Sequence, residues 1–198
     1  MSARIHKSFE FLSALHFNHK YHLNQYILDA NFIVETSSIE DQNIAMDRIK
    51  FFLHECLQNS IFINQIDTVA MDKYVNAGIN ICTLPEDPYD QIVGIMLLSK
   101  LNSITEGRLT LTDLSIESSM SDGVGCYHSV DESMGPFYEK GWWNDSSQSI
   151  NNLHTRNTKI VKLNNTKNDW ADVYLDWEEK SIYKNTEIVF ASFDKTDK

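Results

Sequence analysis

SALHFNHKYHLNQYILDANFIVET, residues 13–36, is the stretch whose reading decides the fold. Within it Tyr26, Leu28, Ala30, Phe32 and Val34 fall at every second position, the period of a strand that buries one face. Residues 9–17 and 21–36 therefore read as two strands, and the short link between them predicts a hairpin. His16, His19 and His22 crowd the turn end of that hairpin. Imidazole ligates metals and titrates near neutrality, so such a cluster suits a metal site or an acid/base site; histidines of a solvated loop are the plain alternative.

Further along, residues 37–43 offer Ser and Asp caps ahead of NIAMDRIKFFLHECLQNS (43–60), where Ile44 or Ala45, Ile49, Phe52, Leu53, Cys56 and Leu57 recur at helical spacing. An amphipathic helix is predicted there. His54 and Cys56 stand two positions apart and face different ways, so Cys56 reads as a small core residue and not as a ligand. A short apolar run, INICTL, occupies 79–84. Pro85 and Pro88 end it and open a second helix over about 89–101, with Asp87 as the candidate cap. The middle of this helix, Ile92 to Leu98, is almost entirely apolar, which predicts burial on more than one side.

RLTLTDLSIESSMS (108–121) reads as a strand with Leu109, Leu111, Asp113, Ser115 and Glu117 on one face and Thr110, Thr112, Leu114 and Ile116 on the other. Asp122-Gly123 predicts a tight hairpin into VGCYHSV (124–130). There Cys126 and His128 share one side at a spacing that can hold a metal, packing being the plainer reading. The first 130 residues thus form an α+β domain, a mainly antiparallel sheet with two helices on one face. Residues 131–198 read as a Trp-rich, β-rich C-terminal extension packed on the same domain, with strands expected at 170–179 and 181–193. Its four tryptophans, Trp142, Trp143, Trp170 and Trp177, suit packing or subunit contact better than stacking on a base or sugar.

Composition narrows the function. With 28 acidic against 17 basic residues and a formal net charge of -11, the chain lacks the concentrated Lys and Arg that phosphate backbones require, so no nucleic-acid partner is expected. The longest apolar run, 92–101, is half of the roughly 20 residues that cross a bilayer, so no membrane role is expected either. The start, MSARIHKSFE, has no apolar region of a secretory signal, and the cytoplasm is the default expectation. Cys56, Cys82 and Cys126 form no CxxC pair, so reduced thiols are expected and not a disulfide framework. Phosphate-loop, dinucleotide, hydrolase-elbow, zincin and EF-hand motifs are absent.

Several of these residues resemble the tunnelling-fold (T-fold) enzymes related to 6-pyruvoyl-tetrahydropterin synthase and 6-carboxy-tetrahydropterin synthase. Ser13-Ala14-Leu15-His16 resembles the Ser-Ala-x-His of that family's first strand, and His22-Leu23-Asn24-Gln25-Tyr26 is similar to the His-Gly-His-Asn-Tyr that opens its second. Residues Met46 to Leu57 resemble its Met-Asp-Phe-x-x-Leu-Lys helix, and residues 84–101 its Pro-Thr-x-Glu-Asn helix. Glu117 in LSIESS stands where the family ends a strand in the Glu-Thr that anchors a pterin ring. The likeness covers about two-thirds of the chain and leaves residues beyond about 130 outside it.

The resemblance implies a β-β-α-α-β-β core, a homo-oligomer, and a pterin or purine-like ring bound at a subunit interface by Glu117. It also implies a zinc-dependent lyase, with His16, His22 and His19 as the metal ligands. A carboxylate there would accept the two parallel N–H donors of a cyclic amidine; an outward-facing surface glutamate is the other reading of Glu117. Some positions depart from the family. Asn24 stands where a third histidine ligand belongs, so either His19 substitutes from the short loop or the metal is lost. Ile61 and Phe62 fall where the family carries an Asp-His proton-transfer pair, and neither can move a proton. The second reading is therefore a non-enzymatic assembly or accessory protein on the same fold.

Overall fold

Alternation of apolar and polar side chains draws Arg4–Phe17 (β1) and Lys20–Val34 (β2) into a long antiparallel hairpin in the computed structural model, which describes residues 3–147 and 170–177. Phe9 lies opposite Leu28 and Phe11 opposite Tyr26, so the buried residues of both strands share one face. β1 begins earlier than the apolar pattern predicts. Its first residues are held by polar pairing, such as His6 Nδ1 with Asn31 Oδ1 at 3.1 Å, which hydrophobic period does not reveal.

Helix α1 (Ile39–Phe51) starts where a cap was expected: Ser38 Oγ accepts the Asp41 amide at 3.2 Å. It runs into a π-helical segment, Phe52–Leu57, which buries Phe52, Leu53 and Leu57. The chain then adds a parallel unit that the sequence pattern foreshadows only at its end. Strand β3 (Ile61–Asn64) pairs with Ala14–His16 of β1, helix α2 (Thr68–Asn76) follows, and β4 (Ile81–Leu84) pairs with β3. Helix α3 (Asp90–Thr105) leads to β5 (Leu109–Ser118) on β2 and β6 (Cys126–Ser129) on β5. Asp87 does not cap α3; Tyr89 occupies the cap position, and Asp87 accepts Asn64 Nδ2 at 2.8 Å.

The sheet order is β4-β3-β1-β2-β5-β6, and the fold is α+β. Its antiparallel block, β1-β2-β5-β6, is backed by α1 and α3, whose Ala45, Ile49, Val93 and Leu97 join Phe11, Leu15, Tyr26 and Leu28 in the main core. The third helix, α2, covers the opposite face at one corner, where Ala70 and Tyr74 pack on Ala14, Ile61, Ile63 and Ile81. Strand β5 does not divide into the two expected faces. A bulge opposite Asn31 and Phe32 shifts its register, so Leu109 and Leu111 before it and Leu114 and Ile116 after it are all buried.

Two buried cations fasten the later part of the chain to this core. The Lys100 ammonium, on α3, donates its three protons to the carbonyls of Trp142, Asp145 and Ser147 at 2.9, 2.6 and 2.7 Å. The Arg48 guanidinium, on α1, lies between the indoles of Trp170 and Trp177, 4.6 and 3.8 Å from their centroids. Its Nε donates to Leu175 O at 2.7 Å. The tryptophans thus pack on the domain, and each indole N–H has an acceptor: Thr83 O, Phe137 O, Ser146 O and Glu106 Oε2 in chain order. Of the strands expected in the C-terminal region, residues 170–177 form a turn around a 3-10 segment at Ala171–Val173, and the run 181–193 lies outside the described residues.

Burial lowers the Lys100 pKa from 10.5 to about 8. Below that pH the charge is present in both folded and unfolded chains and its burial penalty is complete. Between about 8 and 10.5 only the unfolded chain binds the proton, so the contribution of this group to stability rises with pH, by on the order of 3 kcal/mol. The difference in urea-unfolding free energy between wild type and Lys100→Met is expected to shift toward wild type across that window; a flat difference would show that the charge is not penalised.

Candidate site at the turn of the long hairpin

The β1–β2 link is two residues long, Asn18 and His19, with φ of 50° and 59°. Positive φ at both centres is the signature of the type I′ turn, whose twist matches the flanking strands. Asparagine enters this region easily; an imidazole side chain in the second position is less comfortable than glycine. The turn brings His19 beside His16, the penultimate residue of β1. Parallel pairing of His16 with Ile63 then sets the end of β3, and with it Asp67, against both. One ligating atom from each of His16, His19 and Asp67 lies within 4.8 Å of the others.

His16 is gripped on two sides. Its Nδ1 is 2.8 Å from the Tyr74 hydroxyl, and the two rings meet edge to face at 5.5 Å. Burial, aided by Tyr21 and Asp67, raises the Tyr74 pKa, so the phenol stays protonated near neutrality. The Nε2 atom of His16 is 3.2 Å from Asp67 Oδ2, yet it is buried without a hydrogen bond because the geometry misses the carboxylate. Asp67 is oriented in turn by α2, since Oδ1 accepts the Ala70 amide at 3.1 Å as the helix N-cap. A pocket of about 360 Å³ opens over these groups, walled by Asn18, Asn64 and Asp87.

His22 does not join the other two histidines. It pairs with Leu15, which belongs to the main core, so its side chain leaves the sheet on the face opposite to that of His16. Asp67 occupies the third place instead. Asn24, on the same face as His22, is 2% exposed and its Oδ1 accepts the Ser119 hydroxyl at 2.7 Å. Ile61 and Phe62 are buried core residues of β3.

Glu117 is exposed on β5 opposite Ile27, and Ile27 lies opposite Glu10 of β1. His16 is six residues beyond Glu10 on β1, so Glu117 and His16 share a sheet face but stand about 20 Å apart along it.

Cys126 and His128 share one side of β6, but no third ligand atom among the described residues lies within 4.8 Å of both. His128 instead packs on α3, where a Cβ at Gly94 would fall 2.4 Å from its ring. Burial lowers its pKa, opposed by Glu132 at 3.7 Å. A cavity of about 500 Å³ between α3 and residues 130–146 is lined by hydroxyl, amide and apolar side chains, with no titratable group.

The sequence reading missed Asp67 and Tyr74. An aspartate ahead of TVAMDKYV is a helix N-cap signal that finds α2, but nothing in the sequence aims that carboxylate at His16.

No protein-family model matches the chain, and no curated protein matches it. Among solved structures it is similar to an uncharacterized protein from Wolinella succinogenes, with 10% identity and a TM-score of 0.47 over 66% of this chain and 99% of that one.

The turn geometry has a consequence for stability. Asn-Gly is the preferred type I′ pair, so in protein stripped of metal ions by chelator His19→Gly is expected to raise the unfolding free energy, by up to about 1 kcal/mol. Urea titration checks this; a loss of stability would show that the His19 side chain supports the fold.

Proposed function

We propose that the chain is a tunnelling-fold-like protein that binds a pterin or purine-like ring between subunits, with Glu117 as the anchor. The observation that carries this reading is the state of Glu117. It is an exposed carboxylate at the end of a core strand, with no hydrogen bond or ion pair among the described residues. Its cross-strand neighbour Ile27 is 40% exposed. Two free acceptor oxygens beside an apolar side chain suit the edge and face of a planar cyclic amidine. The antiparallel β1-β2-β5-β6 block backed by α1 and α3 supports the reading, since the resemblance implies two hairpins with helices between them; the parallel β3-α2-β4 unit is additional to that core.

The same sheet face carries Leu12 and Leu23, 53% and 75% exposed. Apolar side chains of that size on a surface favour a covering subunit. Catalysis has less support than binding. Apolar Ile61 and Phe62 stand where proton transfer would need ionisable groups, and Asn24 is engaged with Ser119. These residues favour a second reading, a non-enzymatic oligomeric protein on the same fold.

Titration calorimetry with guanine and with a simple pterin tests the anchor. Glu117→Gln is expected to weaken binding about 10- to 100-fold, the value of charge-assisted hydrogen bonds to a ring edge. Unchanged affinity in the variant removes Glu117 as the anchor. Light scattering of the same preparations is expected to give a homo-oligomer; a monomer that binds neither ring overturns both readings.

A further inference from the structure

We propose that His16, His19 and Asp67 bind a divalent transition-metal cation, zinc first among them, at the turn of the β1–β2 hairpin. This does not rest on the ring-binding reading, because Glu117 lies about 20 Å away along the sheet.

The donor set is the first argument. Two imidazoles and one carboxylate are the ligands of catalytic-type zinc centres, which keep a fourth position open. Here that position faces the pocket walled by Asn18, Asn64 and Asp87, where water or a ligand atom completes the tetrahedron.

Spacing is the second argument. Ligand atoms about 2.0–2.1 Å from a tetrahedral zinc are about 3.4 Å from one another. His16 Nε2 and Asp67 Oδ2 are 3.2 Å apart. A simple ion pair would point the ring N–H at the carboxylate oxygen; here buried Nε2 has no hydrogen bond. Side-by-side lone pairs at that distance fit a shared cation better than a shared proton. The third donor, His19, sits on the exposed turn within 4.8 Å of both, so a change of rotamer closes the site.

The outer contacts are the third argument, since metal ligands are oriented by the hydrogen bonds of their other atoms. His16 has this at Nδ1, whose proton can go to Tyr74 Oη at 2.8 Å and leave the Nε2 lone pair for the ion. Asp67 has it at Oδ1, which holds the Ala70 amide and leaves Oδ2 toward His16. Tyr74 and Ala70 both belong to α2, so one helix orients two ligands. His19 occupies a positive-φ position at which glycine would be easier, a local cost that ligation offsets.

The test uses tag-free full-length protein purified without chelator, its metal measured by plasma mass spectrometry and its affinity by competition with a zinc indicator. Cobalt(II) serves as the spectroscopic probe of coordination. Wild type is expected to take up one equivalent of zinc and to give the visible bands of four-coordinate cobalt. His19→Gly suits the turn, and Asp67→Asn preserves the helix cap, so both should fold, as circular dichroism will verify. Each is expected to weaken zinc at least 10-fold. Tyr74→Phe is expected to weaken it about 10-fold through His16, and His22→Ala, on the opposite face, to leave it unchanged. Affinity unaltered in folded His19→Gly and Asp67→Asn overturns the proposal, as does substoichiometric uptake by wild type at micromolar free zinc.

Discussion

The register of the β1–β2 hairpin is the constraint on which the other elements depend. With Phe11 opposite Tyr26 and Phe9 opposite Leu28, one face of the ribbon is apolar for most of its length, and α1 and α3 have a surface to cover. Because side chains alternate, a slip of one residue would turn the buried aromatics of the slipped strand to solvent. The two-residue turn at Asn18 and His19 closes that register at one end, and pairing of β2 with β5 holds it along the far side. The same alternation decides which histidines can meet. His16 faces α2, and His22 faces the main core.

The later part of the chain is attached by a different physical principle. Tryptophans contribute apolar area, but their direction is set by polar partners: Lys100 gathers three carbonyls, and Arg48 lies between two indoles. A buried cation is destabilising unless every donor is met. Three carbonyl oxygens meet the three protons of Lys100. Its pKa is lowered nonetheless, because carbonyl dipoles replace bulk water only in part.

The two faces of the sheet divide the candidate chemistry. The helix-covered face buries Asn24, Tyr26 and His128 within the core. The other face carries Glu117 among exposed apolar side chains at one end and the His16, His19 and Asp67 group under α2 at the other. The β3-α2-β4 unit makes this asymmetry. It supplies Asp67 and Tyr74, and it covers the corner of the sheet that shelters His16 from solvent.

Much of this architecture was legible in the sequence, because it rests on local patterns. Period-two alternation marks β2, helical spacing marks α1, a nearly continuous apolar run marks α3, and the Ser and Asp residues of 37–43 mark the region where α1 is capped. What remained hidden depends on partners remote in sequence. The polar start of β1 is held by cross-strand hydrogen bonds, the faces of β5 are exchanged by a bulge opposite Asn31, and Asp87 bonds Asn64 instead of capping a helix. For the candidate site, the sequence by itself determined that His16, His19 and His22 crowd one turn. Only the tertiary structure separated His22 from the other two and brought Asp67 to them. The reason is physical: proximity along a strand is local, but facing is set by alternation, and a third ligand 48 residues beyond His19 arrives only through parallel pairing of β3 with β1.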